Sequence, residues 1–418
     1  EAIAATRAQY PYDFRAEHAV KALPRGLQLT LTISNRCDTP LPLAPGWHPY
    51  FDCPTAAKAA FPGWRDTPPD GRAAIMNKMA DLLERNAPAI ALAESVDQGK
   101  SITQATGETS RGPANFRAFA KLAPEFCALH PFKSETPKAE GYVLHQPVGV
   151  VGTISPWNLP LLLFTWKIVP ALATGNTVVA KPSEITPMTA YLLSTLANEA
   201  GFPPGVLNIV HGTGPKVGEA LVNHRDILRL SFTGSTATGR AIGLACAQNF
   251  KKPPMLEMGG KNPAIIFDDA DLSAAVPGGR ASGFTNQGEI CLCSSRHFVQ
   301  RGIYNKYRDA LVEAVKNIKI GDPLEADTQH GALVSEAHMN KVLGYIDLAK
   351  NEGGKILSGG RRHIVKGRCA DGYFVEPTII EGLNNACRTN QEEIFGPVIT
   401  LIPFDTEEEA VALANDSE

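Results

Sequence analysis

The sequence contains few cysteines, and they are spread irregularly along the chain. There are eight in 418 residues, at positions 37, 53, 127, 246, 291, 293, 369 and 387. No two Cys-x-x-Cys elements occur, so the sequence predicts neither a zinc site nor a disulfide framework. We expect reduced thiols in a cytoplasmic protein, most of them serving as small buried apolar groups.

Long apolar runs and a strong charge imbalance are also missing. No uninterrupted apolar stretch approaches the roughly 18 residues that cross a bilayer, and the first residues lack the basic-then-apolar layout of a signal peptide. The formal net charge is -3, without a clustered basic stripe, which argues against nucleic acid as a partner. The remaining composition, 44% hydrophobic and 20% charged, is that of a globular protein able to bury a large core.

From about residue 140 the sequence alternates between short β-rich runs and longer helical runs. The predicted strands cover 148–154, 177–180, 206–210 and 227–232, and the predicted helices cover 159–173, 186–199, 216–222 and 237–247. These strands are continuous apolar runs, which is typical of a sheet buried on both faces. The alternation predicts an α/β fold with a parallel sheet covered by helices.

The residues after about 260 continue this α/β alternation, whereas the first residues of the chain do not. A second α/β stretch has predicted strands at 263–267, 296–300, 373–379 and 398–402 and helices at 272–283, 303–318 and 336–352, while 61–100 has the pattern of a helical hairpin. Residues 27–34 instead alternate between apolar and polar, which indicates a half-buried antiparallel strand. Residues 1–52 therefore resemble part of an all-β protein joined to an α/β protein.

A candidate nucleophile lies in the segment Asn286-Gln287-Gly288-Glu289-Ile290-Cys291-Leu292-Cys293. A reactive cysteine is partly exposed and lies near donors that stabilise its thiolate. Gly288 permits a close backbone approach, so that the N–H groups after it can face the Cys291 sulfur. For this residue taken alone, a structural cysteine is the alternative.

Two further polar residues stand at predicted strand ends. Glu257, in Leu256-Glu257-Met258-Gly259-Gly260, is predicted to be desolvated beside a cleft and to act as a general base; a surface glutamate before a turn is the alternative. Asn158, in Ser155-Pro156-Trp157-Asn158, lies between a strand and an apolar helix and is predicted to donate into the same cleft. A simple helix cap is the alternative for Asn158.

The segment Ser231-Phe232-Thr233-Gly234-Ser235-Thr236-Ala237-Thr238-Gly239 ends a predicted strand and begins a helix. Phosphates bind at such helix starts, where free backbone N–H groups and the positive end of the helix face the ligand. The two glycines are spaced as G-x-x-x-x-G, whereas the usual dinucleotide fingerprint is G-x-G-x-x-G. The segment therefore predicts nucleotide binding in a mode different from the usual one.

Together these segments resemble the aldehyde dehydrogenase superfamily from about Thr55 to Glu418. The matching motifs are Ala59-Ala60-Phe61 with Trp64, Ser155-Pro156-Trp157-Asn158, Val179-Ala180-Lys181-Pro182-Ser183-Glu184, Phe232-Thr233-Gly234-Ser235, Leu256-Glu257-Met258-Gly259-Gly260-Lys261, Gly288-Glu289-Ile290-Cys291 and Glu392-Glu393-Ile394-Phe395-Gly396-Pro397. The resemblance implies a Rossmann-like NAD-binding domain at 53–257 and an α/β catalytic domain at 258–418, after a short all-β fragment at 1–52.

The resemblance also implies a chemistry for three residues. Cys291 directly follows Gly-Glu-Ile of the family motif, which favours it over Cys293 as the nucleophile. Its attack on an aldehyde carbonyl gives a thiohemiacetal, whose oxyanion is held by the Asn158 amide and the Cys291 backbone N–H. Hydride transfer to NAD leaves a thioester, and Glu257 activates the water that hydrolyses it.

On the adenosine side of the implied cofactor site, Lys181 and Glu184 hold the ribose hydroxyls. The Glu184 carboxylate accepts hydrogen bonds from these hydroxyls and repels a 2′-phosphate, so we expect NAD rather than NADP. Lys181 partly offsets this preference.

The resemblance assigns the rest of the cofactor as well. Gly234 and Ser235 meet the pyrophosphate, Glu393 holds the nicotinamide ribose, and Phe395 packs near the ring. The remaining implied cofactor residues are Ile154, Trp157, Ser183 and Gly239.

Local similarity narrows the substrate. The segments Glu289-Ile290-Cys291-Leu292-Cys293 and Arg111-Gly112-Pro113-Ala114-Asn115-Phe116-Arg117 resemble the semialdehyde branch, which includes aminomuconic semialdehyde dehydrogenases. Arg111 is predicted to bind a substrate carboxylate with both arms of its guanidinium, and a surface arginine is the alternative. We therefore expect oxidation of an aldehyde, such as a carboxylated semialdehyde, to the acid.

Both ends depart from the family pattern. Residues 1–52 resemble an aldose 1-epimerase (galactose mutarotase) fragment in which His48 matches an acid, but the partner glutamate and most of the β-sandwich are absent, so we expect no epimerase activity. At the other end the family continues beyond Glu418, and the strand through which its homo-oligomers form is missing here. A catalytically inactive, truncated NAD-binding or scaffold protein is therefore the alternative function.

Overall fold

The computed structural model describes residues 14–23, 26–35, 53–133, 140–248 and 252–417. The chain divides into two compact units, 1–49 and 50–418. In the first unit, β1 (Phe14–Leu23) pairs with β2 (Gly26–Asn35) in an antiparallel hairpin, and β2 contains the predicted strand at 27–34. His48 lies outside the described residues. The domain boundaries after residues 52 and 257 stay predictions.

The second unit is mostly helical in its first third and then alternates. Its helices are α1 (Cys53–Asp66), α2 (Pro69–Arg85), α3 (Ala87–Gln98), α4 (Ile102–Glu108), α5 (Arg111–Phe126), α6 (Pro160–Ala173), α7 (Met188–Ala200), α8 (Glu219–Asn223), α9 (Thr236–Ala247), α10 (Leu272–Phe284), α11 (Tyr304–Lys316), α12 (Glu336–Asn351), α13 (Arg388–Gln391) and α14 (Glu407–Asn415). Its strands are β3 (His130–Lys133), β4 (Glu140–Val143), β5 (Val150–Ile154), β6 (Thr177–Lys181), β7 (Leu207–Ile209), β8 (Ile227–Thr233), β9 (Pro254–Glu257), β10 (Asn262–Ile266), β11 (Ser294–Gln300), β12 (Lys355–Ser358), β13 (Arg362–His363), β14 (Phe374–Val375), β15 (Thr378–Glu381) and β16 (Val398–Phe404).

The first large sheet has the strand order β7-β6-β5-β8-β9, and all its neighbouring strands are parallel. The order reverses between β5 and β8, and ligands bind outside the carboxyl ends of strands at such a switch point. Every residue of β6 is buried, which explains why the strand is a continuous apolar run in the sequence. The predicted parallel sheet is confirmed.

The second large sheet has the order β10-β11-β16-β15-β12. Its strands are parallel except that β12 runs antiparallel to β15. The single strand predicted at 373–379 is wrong, because β14 and β15 are separate strands in different sheets. Pro377 lies between them, and a proline has no N–H to donate to a ladder.

Several hydrophobic cores hold the described layers together, and the two largest pack helices against the two large sheets. In the first, helices α2 and α5–α7 pack on one face of the first sheet around Trp64, Phe116 and Phe164, and the Trp64 indole donates to the Leu172 carbonyl oxygen at 3.0 Å. The second core lies between the second sheet and helices α10 and α11, around Val299, Tyr307, Leu311, Ile379 and Ile399.

The described helices include none with the length and hydropathy of a membrane span. The cytoplasmic location and the homo-oligomeric state expected from the family stay predictions.

Candidate active site

The loop that carries Cys291 connects α10 to β11 and has an unusual backbone. Asn286, Gln287 and Gly288 have φ values of 53°, 56° and 71°, a left-handed conformation that is costly for residues with a Cβ. A Cβ on Gly288 would lie 2.2 Å from the Gly396 carbonyl oxygen, so only glycine fits there. The loop is thus held in a strained conformation directly before the cysteine.

Hydrogen bonds fix the turn at the cysteine itself. The Asn262 side-chain amide donates to the carbonyl oxygens of Cys291 at 2.6 Å and Cys293 at 3.2 Å. The Cys293 N–H donates to the Ile290 carbonyl oxygen at 3.0 Å. Cys291 is partly exposed, as a reactive cysteine must be.

The two cysteines differ in their electrostatics. Burial raises the pKa of the Cys291 thiol, and the charges of Glu393 and Glu257 raise it further, while the backbone N–H groups of Cys291 and Leu292 lower it. Burial raises the pKa of Cys293 to about 12. Because the thiolate is the nucleophile, this contrast favours Cys291 over Cys293.

Replacing Glu393 with glutamine is expected to speed alkylation of Cys291 at neutral pH. Removing a negative charge lowers the thiol pKa, and half a pKa unit corresponds to about a threefold larger thiolate fraction below the pKa. Iodoacetamide labelling of Cys291, followed by mass spectrometry against pH, measures this, with Glu313→Gln, an exposed residue of α11, as the control. A slower Glu393→Gln reaction, or a wild-type midpoint at or below that of an ordinary thiol, contradicts it.

Asn158 lies against the cysteine loop. It is 2% exposed, and its amide donates to the Glu289 carbonyl oxygen at 2.9 Å. Helix α6 starts at Pro160, with Leu159 as its cap residue and no side-chain capping bond, so the helix-cap alternative is wrong. An asparagine amide has two N–H donors, and the contact with Glu289 leaves the second for a ligand.

Glu257 ends β9, as predicted, but the predicted desolvation is wrong because its side chain is exposed. The reason is position: β9 is the edge strand of its sheet, and Met255 and Glu257 lie on its open face. Its backbone oxygen accepts from the Gly234 N–H at 3.1 Å. Its charge also acts on the ammonium of Lys167, whose pKa burial lowers to about 8.

The predicted pyrophosphate segment forms the start of α9 at the switch point. Ser235 is the cap residue, and its hydroxyl accepts from the Thr238 N–H at 3.3 Å. The first turn is exposed, so its free N–H groups are open to a ligand. Gly239 is buried, and a Cβ there would lie 2.6 Å from the Met258 sulfur. These features fit an anion at the helix N-terminus.

Lys181 and Glu184 form an ion pair at the end of β6. The Lys181 ammonium lies 3.0 Å from a Glu184 carboxylate oxygen, and the other oxygen accepts from the Gly214 N–H at 3.2 Å. Lys181 pairs in register with Ile154 on the neighbouring strand. Ser183 is buried, and its hydroxyl accepts from the Ile185 N–H at 3.4 Å. The exposed Glu184 carboxylate suits ribose hydroxyls.

The predicted nicotinamide residues lie next to the cysteine loop. A Glu393 carboxylate oxygen accepts from the Gly260 N–H at 3.2 Å, and a Cβ on Gly259 would overlap that carboxylate at 1.9 Å. The two glycines after Glu257-Met258 therefore make room for Glu393. Trp157 meets the Phe395 ring edge-on, with 5.3 Å between the ring centres.

Residues 52–418 match the family model described as Aldehyde dehydrogenase family. The chain belongs to the aldehyde dehydrogenase family. Relatives named 2-aminomuconic semialdehyde dehydrogenase are 49% identical over 368 residues in Danio rerio and 47% identical over 369 residues in Homo sapiens, covering 86% of this chain and 74% of each relative. The structure of betaine aldehyde dehydrogenase from Staphylococcus aureus in complex with NAD+ has a TM-score of 0.84 at 40% identity, covering 87% of this chain and 72% of that one.

These similarities confirm the predicted family and the predicted α/β fold, and the relatives include the semialdehyde branch. The family match begins at residue 52, and the resemblance of 1–52 to aldose 1-epimerases finds no support in these comparisons.

Arg111 is the first residue of α5 in this aldehyde dehydrogenase. It is exposed, and it forms no ion pair within the described part of the chain. The next residue, Gly112, packs so closely that a Cβ would lie 3.0 Å from a Leu161 methyl in the first turn of α6. Arg111 therefore lies near the helix start that follows Asn158, with its guanidinium open to a ligand.

A buried polar network lies behind Asn158, and its residues were not among the predicted site residues. Lys100 is fully buried, and its ammonium lies 2.6 Å from Glu108, 3.4 Å from Glu94 and 3.3 Å from the Asn158 carbonyl oxygen. Lys167 was also missed as a site residue, although its position within an apolar helix is a signal that could have found it. For Lys100 the local sequence offers no such signal.

Proposed function

We infer that this aldehyde dehydrogenase oxidises its aldehyde to the carboxylic acid with NAD, through a covalent intermediate on Cys291. The observation that carries the proposal is the arrangement around one loop. The Cys291 thiol is partly exposed, the Asn158 amide donates to the carbonyl oxygen of Glu289 two residues before it, and the Glu257 charge raises the pKa of that thiol. A cleft with only one of these groups would not support acyl chemistry.

The residues around the switch point support NAD as the cofactor. The exposed start of α9 suits the pyrophosphate, the Glu184 carboxylate suits the adenosine ribose, and Glu393 suits the nicotinamide ribose. When bound, NAD supplies the hydride acceptor.

In the proposed mechanism the Cys291 sulfur forms a bond to the aldehyde carbon, and the carbonyl oxygen becomes an oxyanion. The free N–H of Asn158 and the Cys291 backbone N–H donate to that oxyanion, where removal of one donor typically costs about 10²–10³ in rate. After oxidation the carbon is held as a thioester. Glu257 accepts a proton from water, the water oxygen attacks the thioester carbon, and the Cys291 sulfur leaves.

Replacing Glu184 with glutamine is expected to shift cofactor preference toward NADP. Without the carboxylate charge, repulsion of a 2′-phosphate disappears while Lys181 remains, and about 1.4 kcal/mol changes the NADP/NAD ratio of kcat/KM about tenfold. Steady-state kinetics with both cofactors measures it, with Glu199→Gln on α7 as the control. An unchanged ratio contradicts the role of Glu184.

We further propose a carboxylated semialdehyde as the substrate class, because the relatives above carry that activity in their names and Arg111 has an open guanidinium. Arg111→Gln is expected to raise KM for such semialdehydes about tenfold or more, since a charge-assisted pair is worth roughly 1.5–3 kcal/mol. Uncharged aldehydes of the same length should keep their KM. Arg117→Gln, in the same helix but tied to Asp81 and Glu84, is the control. If Arg111→Gln changes the KM of both substrate types equally, Arg111 does not bind the substrate carboxylate and is a surface arginine.

NADH formation with short aldehydes and carboxylated semialdehydes tests the function as a whole. Turnover with at least one class is expected. The inactive alternative predicts NAD binding without turnover on any of them.

A further inference from the structure

The Glu289 side chain, two residues before Cys291, has no role in the mechanism above. It is fully buried, and each of its two carboxyl oxygens accepts a hydrogen bond from another part of the chain. The Gln98 amide donates to one at 2.5 Å, and the Val334 N–H donates to the other at 3.3 Å. The Gln98 amide cannot turn over freely, because its oxygen accepts from the Lys100 N–H at 3.0 Å.

The backbone of Glu289 is anchored as firmly as its side chain. Its carbonyl oxygen accepts from the amides of Asn158 at 2.9 Å and Asn286 at 3.1 Å. Any movement of Glu289 therefore moves the Asn158 amide and the backbone leading to Cys291.

His338 of α12 joins this residue to the loop that carries Glu393. Its Nε2 lies 2.6 Å from the Phe395 carbonyl oxygen and 3.5 Å from a Glu289 carboxyl oxygen. A carbonyl oxygen only accepts, so the hydrogen is on Nε2 and is donated to Phe395, while the Glu289 oxygen lies beside the same nitrogen. Burial lowers the pKa of His338 to about 4, so the ring stays neutral at physiological pH.

The loop that His338 holds needs such support. Phe395 has a φ of 61°, a left-handed conformation that is strained for a residue with a bulky side chain. Its carbonyl is fixed by His338, and its ring and the His338 ring both pack against Trp157. The next residue, Gly396, touches Gly288 of the cysteine loop. The contact between Gly288 and Gly396 joins the two loops, and so does the His338 side chain, which donates to Phe395 and lies against Glu289.

We propose that Glu289 and His338 form a positioning pair that fixes the 393–396 loop against the cysteine loop and so sets the affinity for the nicotinamide half of NAD. The inference rests on the proposed function, because Glu393 is taken as the nicotinamide-ribose ligand. The adenosine half, held at Lys181 and Glu184, is independent of the pair.

The chain offers matched variants for a binding test. His338→Phe removes the N–H donor, whereas His338→Gln places an amide N–H at a similar reach. Glu289→Gln keeps the size but offers one acceptor and one donor where Gln98 and Val334 require two acceptors. His363→Phe, on β13 and outside the site, is the control for histidine replacement.

Tryptophan fluorescence titration with NAD and with ADP, which lacks the nicotinamide riboside, tests the inference without turnover. His338→Phe and Glu289→Gln should each raise the Kd of NAD about fivefold, the effect of one hydrogen bond, and leave the Kd of ADP unchanged. His338→Gln and His363→Phe should stay within about twofold of wild type. The double variant His338→Phe/Glu289→Gln should bind NAD no more weakly than the weaker single variant, because both remove one bridge.

Three outcomes would overturn the inference. The variants could raise the Kd of NAD and of ADP equally, or His338→Phe and His338→Gln could raise the Kd of NAD equally. The third is a double variant whose increase in the Kd of NAD equals the product of the two single increases. If His338→Phe does not fold, as judged by circular dichroism, Glu289→Gln carries the same NAD-selective expectation. Wild-type protein that binds NAD but oxidises no aldehyde contradicts only the proposed function. Wild-type protein that does not bind NAD overturns both.

Discussion

Replacing Cys291 with alanine is expected to abolish aldehyde oxidation and leave NAD binding intact. Without the sulfur no thiohemiacetal forms, so the covalent route is lost and the rate should fall by a factor on the order of 10⁵ or more. The side chain is partly exposed and small, so the fold tolerates its removal. NADH formation measures the loss, and fluorescence titration with NAD shows that the cofactor site persists.

Cys293→Ala is the matched control, two positions away on the same turn. Burial raises the pKa of Cys293 to about 12, so its thiol stays protonated and should contribute little to the rate. Activity that survives in Cys291→Ala, or that disappears in Cys293→Ala instead, would refute Cys291 as the nucleophile.

The parts of the fold that could be predicted are those determined by residues close to one another in the sequence. The buried strands β5 and β6 are continuous apolar runs, and the start of α9 carries its own cap residue, Ser235. The motif residues also lie where their positions at strand ends predict. Parallel strands bring their carboxyl ends to one edge, so Asn158, Gly234 and Glu257 each lie at or just after the end of a strand on the same edge of the sheet, and Gly234 and Glu257 are joined by a backbone hydrogen bond.

What could not be predicted depends on distant partners. Lys100 is a charged residue that is normally exposed, and its burial requires Glu94, Glu108 and the Asn158 carbonyl oxygen, the last of them 58 positions away. Gln98 and Glu289 are 191 positions apart. The exposure of Glu257 likewise follows from the place of β9 at the sheet edge, which its own apolar neighbours do not indicate.

Replacing Glu257 with glutamine is expected to trap the enzyme after oxidation and before hydrolysis. Formation of the thioester does not require a base at this position, whereas attack by water does, and loss of a general base typically costs about 10²–10⁴ in rate. Rapid mixing should therefore show a burst of NADH, close to one equivalent per active site, followed by slow turnover. Intact-mass analysis of the quenched protein should show the acyl group on Cys291.

The exposed position of Glu257 makes this prediction specific. A carboxylate on an open sheet edge contributes little to packing, so Glu257→Gln should unfold at the same temperature as wild type and as the control Glu407→Gln on exposed α14. A loss of rate without a burst would mean that Glu257 acts before the thioester forms, on the Cys291 thiol whose pKa its charge raises. Unchanged turnover would mean that water is activated by another group, and Lys167, whose pKa burial lowers to about 8 and which faces the same carboxylate, would be the first residue to replace.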